Sequence, residues 1–372
     1  MFSRTAPNLG RLVGRQILRK DMKLTGESGL QYLLTDNLAG LEGHVWIAKD
    51  ARNKNSSWFI VKQPKWPYIN KAGSWAERLR EFEHEVKMNE IFQGAKYIRQ
   101  QADTIKPTSE DDPPRMVLEA MWDSVGRVHT ARLFTRKEIK AMMKTTLQAL
   151  QEVEQKDLMH PNTILSNFSL QCSLHMNDML IKTPSLDPHD PPKFIAKIAN
   201  PISFIEPNRE FEGQNLMQCP TAAPEMLFGK PVGFPAHIWS WGIILCHLLE
   251  STAGWTHGNL EYQWTSGLFE YDERQWDLRW ASGEDWWLKE MVDDFKIDSC
   301  DYYADCDMPD IEVFKPCAYD WKERLRIKGV REDDVCFLDW VLDPNPDTRP
   351  TSERIMQSGY MEWNSEDEDG KP

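Results

Sequence analysis

Between residues 32 and 61 apolar and polar side chains alternate, and the cluster Asn53-Lys54-Asn55-Ser56-Ser57 interrupts the alternation. A period of two puts successive side chains on opposite faces, so this part reads as strands joined by hairpins. The pattern then changes. Residues 73–92 are rich in Glu, with Arg, Lys and Leu among them, and hold no proline, which predicts a helix. Asp111-Asp112-Pro113-Pro114 predicts a loop, and residues 116–121 a short apolar strand. Over 135–154 a long helix is predicted, because Ile139, Met142, Met143, Leu147 and Leu150 recur at helical steps. Four prolines make 183–193 a loop. Residues 236–250 are almost all apolar, so their helix should be buried on every side. Strands first and helices afterwards indicate an α+β protein in two lobes. No internal repeat is visible.

Composition narrows this picture. At roughly 150 residues per domain, 372 residues leave room for two or three domains or one large bilobal one. Hydrophobic residues make up 41% and charged residues 27%, a globular and not a disordered balance. The longest nearly apolar run, 238–249, is shorter than the roughly 18 to 20 residues of a membrane helix. No signal peptide pattern is present, and no membrane partner is expected. The net charge of −14 argues against nucleic acid as a partner, since phosphate backbones are held by basic surfaces.

Seven cysteines in a long chain do not read as a disulfide framework, and a reducing, intracellular compartment is the default. Cys300 and Cys306 are close in sequence but have no histidine nearby, so they read as thiols and not as zinc ligands. Residues 1–20 carry Arg4, Arg11, Arg15, Arg19 and Lys20 and no acid. Two readings stand: a flexible basic terminus, with the protein in cytoplasm or nucleus, or a mitochondrial transit peptide. The tryptophans from Trp255 to Trp287 read as packing residues or as a binding platform. Residues 281–320 hold twelve acids and three basic residues, and Glu366-Asp367-Glu368-Asp369 makes an acidic tail.

Several segments line up in order with the signature motifs of eukaryotic protein kinases, over about residues 31–360. Ala223-Pro224-Glu225 resembles the Ala-Pro-Glu motif, and Trp239-Ser240-Trp241-Gly242 resembles the Trp-Ser-x-Gly of the family's buried helix. Arg349, in Asp347-Thr348-Arg349-Pro350-Thr351, resembles the arginine that pairs with that glutamate, which implies a structural Glu225–Arg349 ion pair. The long stretch between Gly242 and Arg349 is similar to the group of cyclin-dependent, MAP and SR-protein kinases.

The first half resembles the family more loosely. Leu38-Ala39-Gly40-Leu41-Glu42-Gly43-His44-Val45 resembles the glycine-rich loop with its first glycine replaced, although alone it also reads as a hairpin turn. Phe59-Ile60-Val61-Lys62 resembles the Val-Ala-Ile-Lys strand, with Glu85 as the helix partner of Lys62. Leu118-Glu119-Ala120-Met121 resembles the hinge. The resemblance implies a bilobal kinase-like fold: a basic extension 1–30, an N-lobe 31–118, a hinge 119–122, a C-lobe 123–360 and an acidic tail 361–372. It also implies an ATP site. Gly40, Gly43 and Val45 would cover the nucleotide, and Lys62 with Glu85 would hold phosphate. Leu118 would guard adenine, and the backbones of Glu119 and Met121 would bond it.

The departures from the family pattern bear on function. The catalytic loop aligns with His160-Pro161-Asn162-Thr163-Ile164-Leu165-Ser166-Asn167. Histidine and the last asparagine persist, but Asn162 replaces the aspartate base. A neutral amide is no base, and that role is worth about 10² to 10⁴ in rate. Ile164 replaces the loop lysine. The Asp-Phe-Gly motif aligns with Asn200-Pro201-Ile202, so Asn167 and Asn200 offer magnesium only neutral oxygens and should hold it weakly or not at all. Ile60 stands where the family has a small alanine against adenine, and Ser169 where it has an apolar residue. Pro161, Gln218 and His237 replace further functional residues, and 200–225 hold only Ser203 and Thr221 as hydroxyl acceptors.

Together these departures imply a pseudokinase that acts as regulator or scaffold, with weak or absent Mg-ATP binding. The alternative is an atypical active Ser/Thr kinase that moves the ATP γ-phosphate to protein hydroxyls. A protein partner is expected, and the acidic stretch 281–320 suits a basic or arginine-rich peptide, or else is a solvated insert.

Overall fold

Antiparallel pairing organises the first part of the chain. The structure is a computed structural model that describes residues 18–39, 43–52, 57–65, 75–109, 112–121, 123–126, 128, 133–159, 179–182, 195–199, 221–252, 286–309 and 319–362. The chain divides into two compact units, Met1–Trp122 with Ala199–Ile202 and Asp123–Ile198 with Ser203–Pro372. In the first unit β1 (Lys23–Thr25), β2 (Gln31–Asn37), β3 (Val45–Asp50), β4 (Trp58–Lys62), β5 (Gln101–Ile105) and β6 (Arg115–Glu119) form a curled sheet of order β1-β2-β3-β4-β6-β5. Alternation decides which side chains meet. Tyr32, Leu34, Trp46, Ala48, Val61, Ile105 and Val117 pack on one face together with Leu18 and Leu24. Ile60, Met116 and Leu118 pack on the other, against Phe82 of α1 (Trp75–Ile91). Cross-strand neighbours fix this second cluster: Ile47 faces Ile60, and Ile60 faces Leu118.

Three expected boundaries differ from the structure. Residues 18–30 were expected within a basic extension, but Leu18 and Leu24 are buried and β1 pairs with β2. The amide of Asp21 donates to the Leu34 carbonyl, and that of Leu34 to Met22, each at 2.9 Å. A three-residue strand is too short to show a period of two, so its pattern is silent. Met361, expected in the acidic tail, is buried, and Glu362 pairs with Lys144. The strand expected at 116–121 ends at Glu119, ahead of Ala120 and Met121.

The second unit combines a three-stranded antiparallel sheet, β7 (Asp123–Ser124), β8 (Met179–Lys182) and β9 (Ile195–Ile198), with helices. Helix α2 (Arg136–Glu154) begins where the sequence supplies a cap: the Thr135 hydroxyl accepts from the Glu138 amide, and Glu138 accepts from the Thr135 amide. Next come α3 (Pro224–Leu227), α4 (Pro235–Thr252), α5 (Trp286–Phe295), α6 (Trp321–Ile327), α7 (Glu332–Val341) and α8 (Ser352–Gln357). Two 3₁₀ turns, Ile297–Ser299 and Asp301–Tyr303, follow α5.

Helix α4 is buried nearly all round, as its composition requires. The Trp241 indole donates to the Met143 carbonyl of α2 at 3.0 Å. Gly242 lets α7 approach: a Cβ there would lie 2.8 Å from Val341 and 2.7 Å from Leu342. The Phe295 ring, stacked on Trp321, receives the edge of Trp239. The described residues thus form a mixed α+β protein, and no helix among them is long and apolar enough to cross a membrane.

Candidate functional site

In the first unit the site is built on β4 and α1. Lys62 is the last residue of β4 and shares a sheet face with Ile60 two residues earlier. Helix α1 is held to that face by Phe82, Glu85, Met88 and Asn89, whose spacing makes one buried helical stripe. Asn89 donates from its side chain to the Glu85 carbonyl at 2.8 Å. Glu85 is thereby presented to Lys62, and the ammonium lies 2.7 Å from each carboxylate oxygen. Glu85 is 2% exposed and Lys62 21%, so the pair is closed on the acid side and partly open on the cation side. Nζ carries three protons and the carboxylate takes two, which leaves one donor for an anion.

The apolar wall beside this pair holds Val45, Ile47, Ile60, Leu118 and Ala120. Ile60 fills the centre of that wall and is 8% exposed. Of the predicted adenine contacts, Val45 and Leu118 therefore lie in one cluster with Ile60 between their strands. Glu119 ends β6 with its amide donating to the Gln100 carbonyl and its carboxylate accepting from the Gln100 amide, each at 3.0 Å. Met121 is half-buried beyond the strand. Gly43 has φ +59 and nothing near its missing Cβ, and its carbonyl accepts from the Trp46 indole at 2.9 Å. That conformation favours glycine, which explains the residue type without a ligand.

Arg99 was not legible as a site residue. Burial pulls its pKa below the ordinary arginine value, while Glu85 and Glu119 act electrostatically in the opposite direction. Among the described residues its Nε has no hydrogen-bond acceptor. Lys62 is thus not the only cation that acts on Glu85. Arg99 lies in the segment between α1 and β5 and belongs to no motif, so no signal in the sequence pointed to it.

In the second unit the structure brings Glu225 and Arg349 together across 124 residues. Pro224 opens α3 and places Glu225 in its first turn, fully buried. Arg349 spends its five N–H groups completely. Nη1 donates to Glu225 at 2.8 Å and to the Pro235 carbonyl at 2.8 Å; Nη2 donates to Glu225 at 3.0 Å and to the Pro344 carbonyl at 3.1 Å. Nε donates to the Asp343 carbonyl at 2.7 Å. The guanidinium also lies 5.1 Å from the Trp239 ring centre. His237, which takes the position of a bracing aspartate in the resemblance, is buried with Nδ1 3.8 Å from Glu154.

Gly40, His160, Asn162, Ile164, Asn167, Ser169 and Asn200 lie outside the described residues, as do Trp255, Trp264, Trp276 and Trp280. The proposed magnesium ligands Asn167 and Asn200 are therefore placed by sequence alone. Among the described residues no group of three or more His, Cys, Asp or Glu is arranged to hold a metal. Comparison with known proteins adds no assignment: no protein-family model matches the chain, and no curated protein matches it significantly.

Proposed function

We propose that this protein is a kinase-like pseudokinase, a regulator or scaffold that binds Mg-ATP weakly or not at all. In this reading residues 31–118 form an N-lobe, 119–122 a hinge and 123–360 a C-lobe. One observation carries the reading: the Lys62 ammonium sits 2.7 Å from both oxygens of a buried Glu85, in a chain with asparagine at 162, 167 and 200. A phosphate-binding cation is kept and oriented, while the positions that would accept a proton and hold magnesium are neutral. Ile60 supports the weak-binding part, because it occupies the wall against which a nucleobase would lie. The proposed partner is a basic or arginine-rich peptide on the acidic stretch 281–320, and the proposed setting is intracellular.

Calorimetric titration with ATP, with and without magnesium, tests the reading, with Lys62→Met as control. Weak binding that depends on Lys62 and gains nothing from magnesium is expected. Phosphate transfer from labelled ATP to a protein substrate by the unaltered chain would overturn it. Restoring Asn162→Asp and Asn200→Asp together should raise magnesium dependence if the remaining site is intact.

A further inference from the structure

The first half of α2 carries Arg136, Lys140 and Lys144, four residues apart and so on one helical stripe. All three are engaged by the end of the described chain. Tyr360 lies flat on Phe337 of α7, with ring centres 3.6 Å apart and planes 6° from parallel. Its ring also meets the Lys140 ammonium at 4.7 Å and the Arg136 guanidinium at 5.9 Å. Its hydroxyl donates to Asp334, which Arg136 grips at 2.6 Å. Two residues on, Glu362 pairs with Lys144 at 2.5 Å. A tight turn presents these groups: Gly359 has φ +78, and the Glu362 amide donates to the Gly359 carbonyl at 3.0 Å.

We propose that this α2–α7 surface is a docking site for acidic peptides with an aromatic residue two positions ahead of a carboxylate, and that residues 358–362 fill it in cis as a displaceable strap. The receptor features are an aromatic floor, a cationic rim and a buried acceptor for one hydroxyl. The strap itself defines the ligand chemistry, since Tyr360 and Glu362 supply an aromatic hydroxyl and an acid at that spacing. A tethered segment acts at millimolar effective concentration, so few contacts hold it and a competitor of the same chemistry can replace it. Nothing in this surface depends on the kinase reading.

The full chain with Tyr360→Ala and Glu362→Ala is titrated with a fluorescent peptide carrying the sequence of residues 356–369. Saturable binding to this variant is expected, with binding to the unaltered chain roughly tenfold weaker or more because the strap competes. Adding Lys140→Ala and Lys144→Ala should abolish the peptide's binding. No saturable binding to the emptied variant, equal binding to both proteins, or binding that survives the lysine changes overturns the proposal. Should the double variant not fold, Glu362→Ala alone serves, since the Glu362 side chain is 62% exposed, with an expected margin of about threefold over the unaltered chain. Equal affinity in that comparison also overturns it.

Discussion

The Lys62–Glu85 pair and the Glu225–Arg349 pair differ in how completely they are closed. Arg349 has an acceptor for each of its five donors, and both side chains are sealed from water. Lys62 has one carboxylate, an exposed side and a proton to spare. The difference teaches how to read a buried ion pair. A charge whose hydrogen bonds are all used can only hold the fold together, whereas one left partly open can also meet a ligand. Arg99 sharpens the contrast, because it acts on the same Glu85 with an Nε that has no acceptor among the described residues.

The largest effect is expected at the closed pair. Arg349→Met leaves Glu225 charged and buried and frees three carbonyls, and should cost about 3–5 kcal/mol. Arg349→Lys should recover only part of this, since an ammonium cannot replace a five-donor fork. Urea denaturation measures both, and a loss below that of Lys62→Met would break the comparison.

Ile60→Ala should come next. Removing a buried isoleucine costs about 2–4 kcal/mol, yet the space it opens on the apolar wall should tighten ATP binding. A variant that loses stability with unchanged ATP affinity would show that Ile60 does not limit the site.

Lys62→Met should cost less, about 1–3 kcal/mol, because Lys62 is partly solvated and Arg99 still acts on Glu85. Its main effect should fall on nucleotide binding. The combined variant Lys62→Met, Arg99→Met should lose more stability than the sum of the two single changes, as a double-mutant cycle would read.

The smallest expected effect is a pH dependence at a third kind of cation, one packed on a ring. Burial first, and then Arg136, push the Lys140 amine from its ordinary 10.5 down to about 8. Between those values the unfolded chain binds a proton that the folded chain has released. Stability should therefore rise with pH across that window, relative to Lys140→Met. A stability difference between the two proteins that is flat from pH 8 to 10 would sink this assignment.

Much of the local structure was legible. The alternation over 32–61 became β2, β3 and β4, and the capped, amphipathic stretch after Thr135 became α2. Residues 236–250 were expected to be buried all round, and α4 is. Other features carried no local sign. β1 was too short to show a period, and Leu18 looked like one apolar residue in a basic terminus. At the candidate site Lys62, Glu85, Glu225 and Arg349 could be named because motifs point to them. Arg99, the Arg136–Asp334–Tyr360 cluster and the Arg324–Asp294 pair could not, as their partners lie 14 to 224 residues away with no pattern linking them.

The amino-acid order by itself determined the types of β2, β3, β4, β6, α1, α2 and α4, the all-round burial of α4, the acidic balance and the neutral residues at 162, 167 and 200. Those follow from side-chain period, composition and residue chemistry, which are properties of short stretches. Only the tertiary structure decided which charges are closed and which stay open. Arg349 became sealed because three backbone carbonyls and one carboxylate converge on it, and Lys140 became buried as Tyr360 packs over it. Such convergence depends on where distant segments meet in space, and the energy of a charge depends on what surrounds it there.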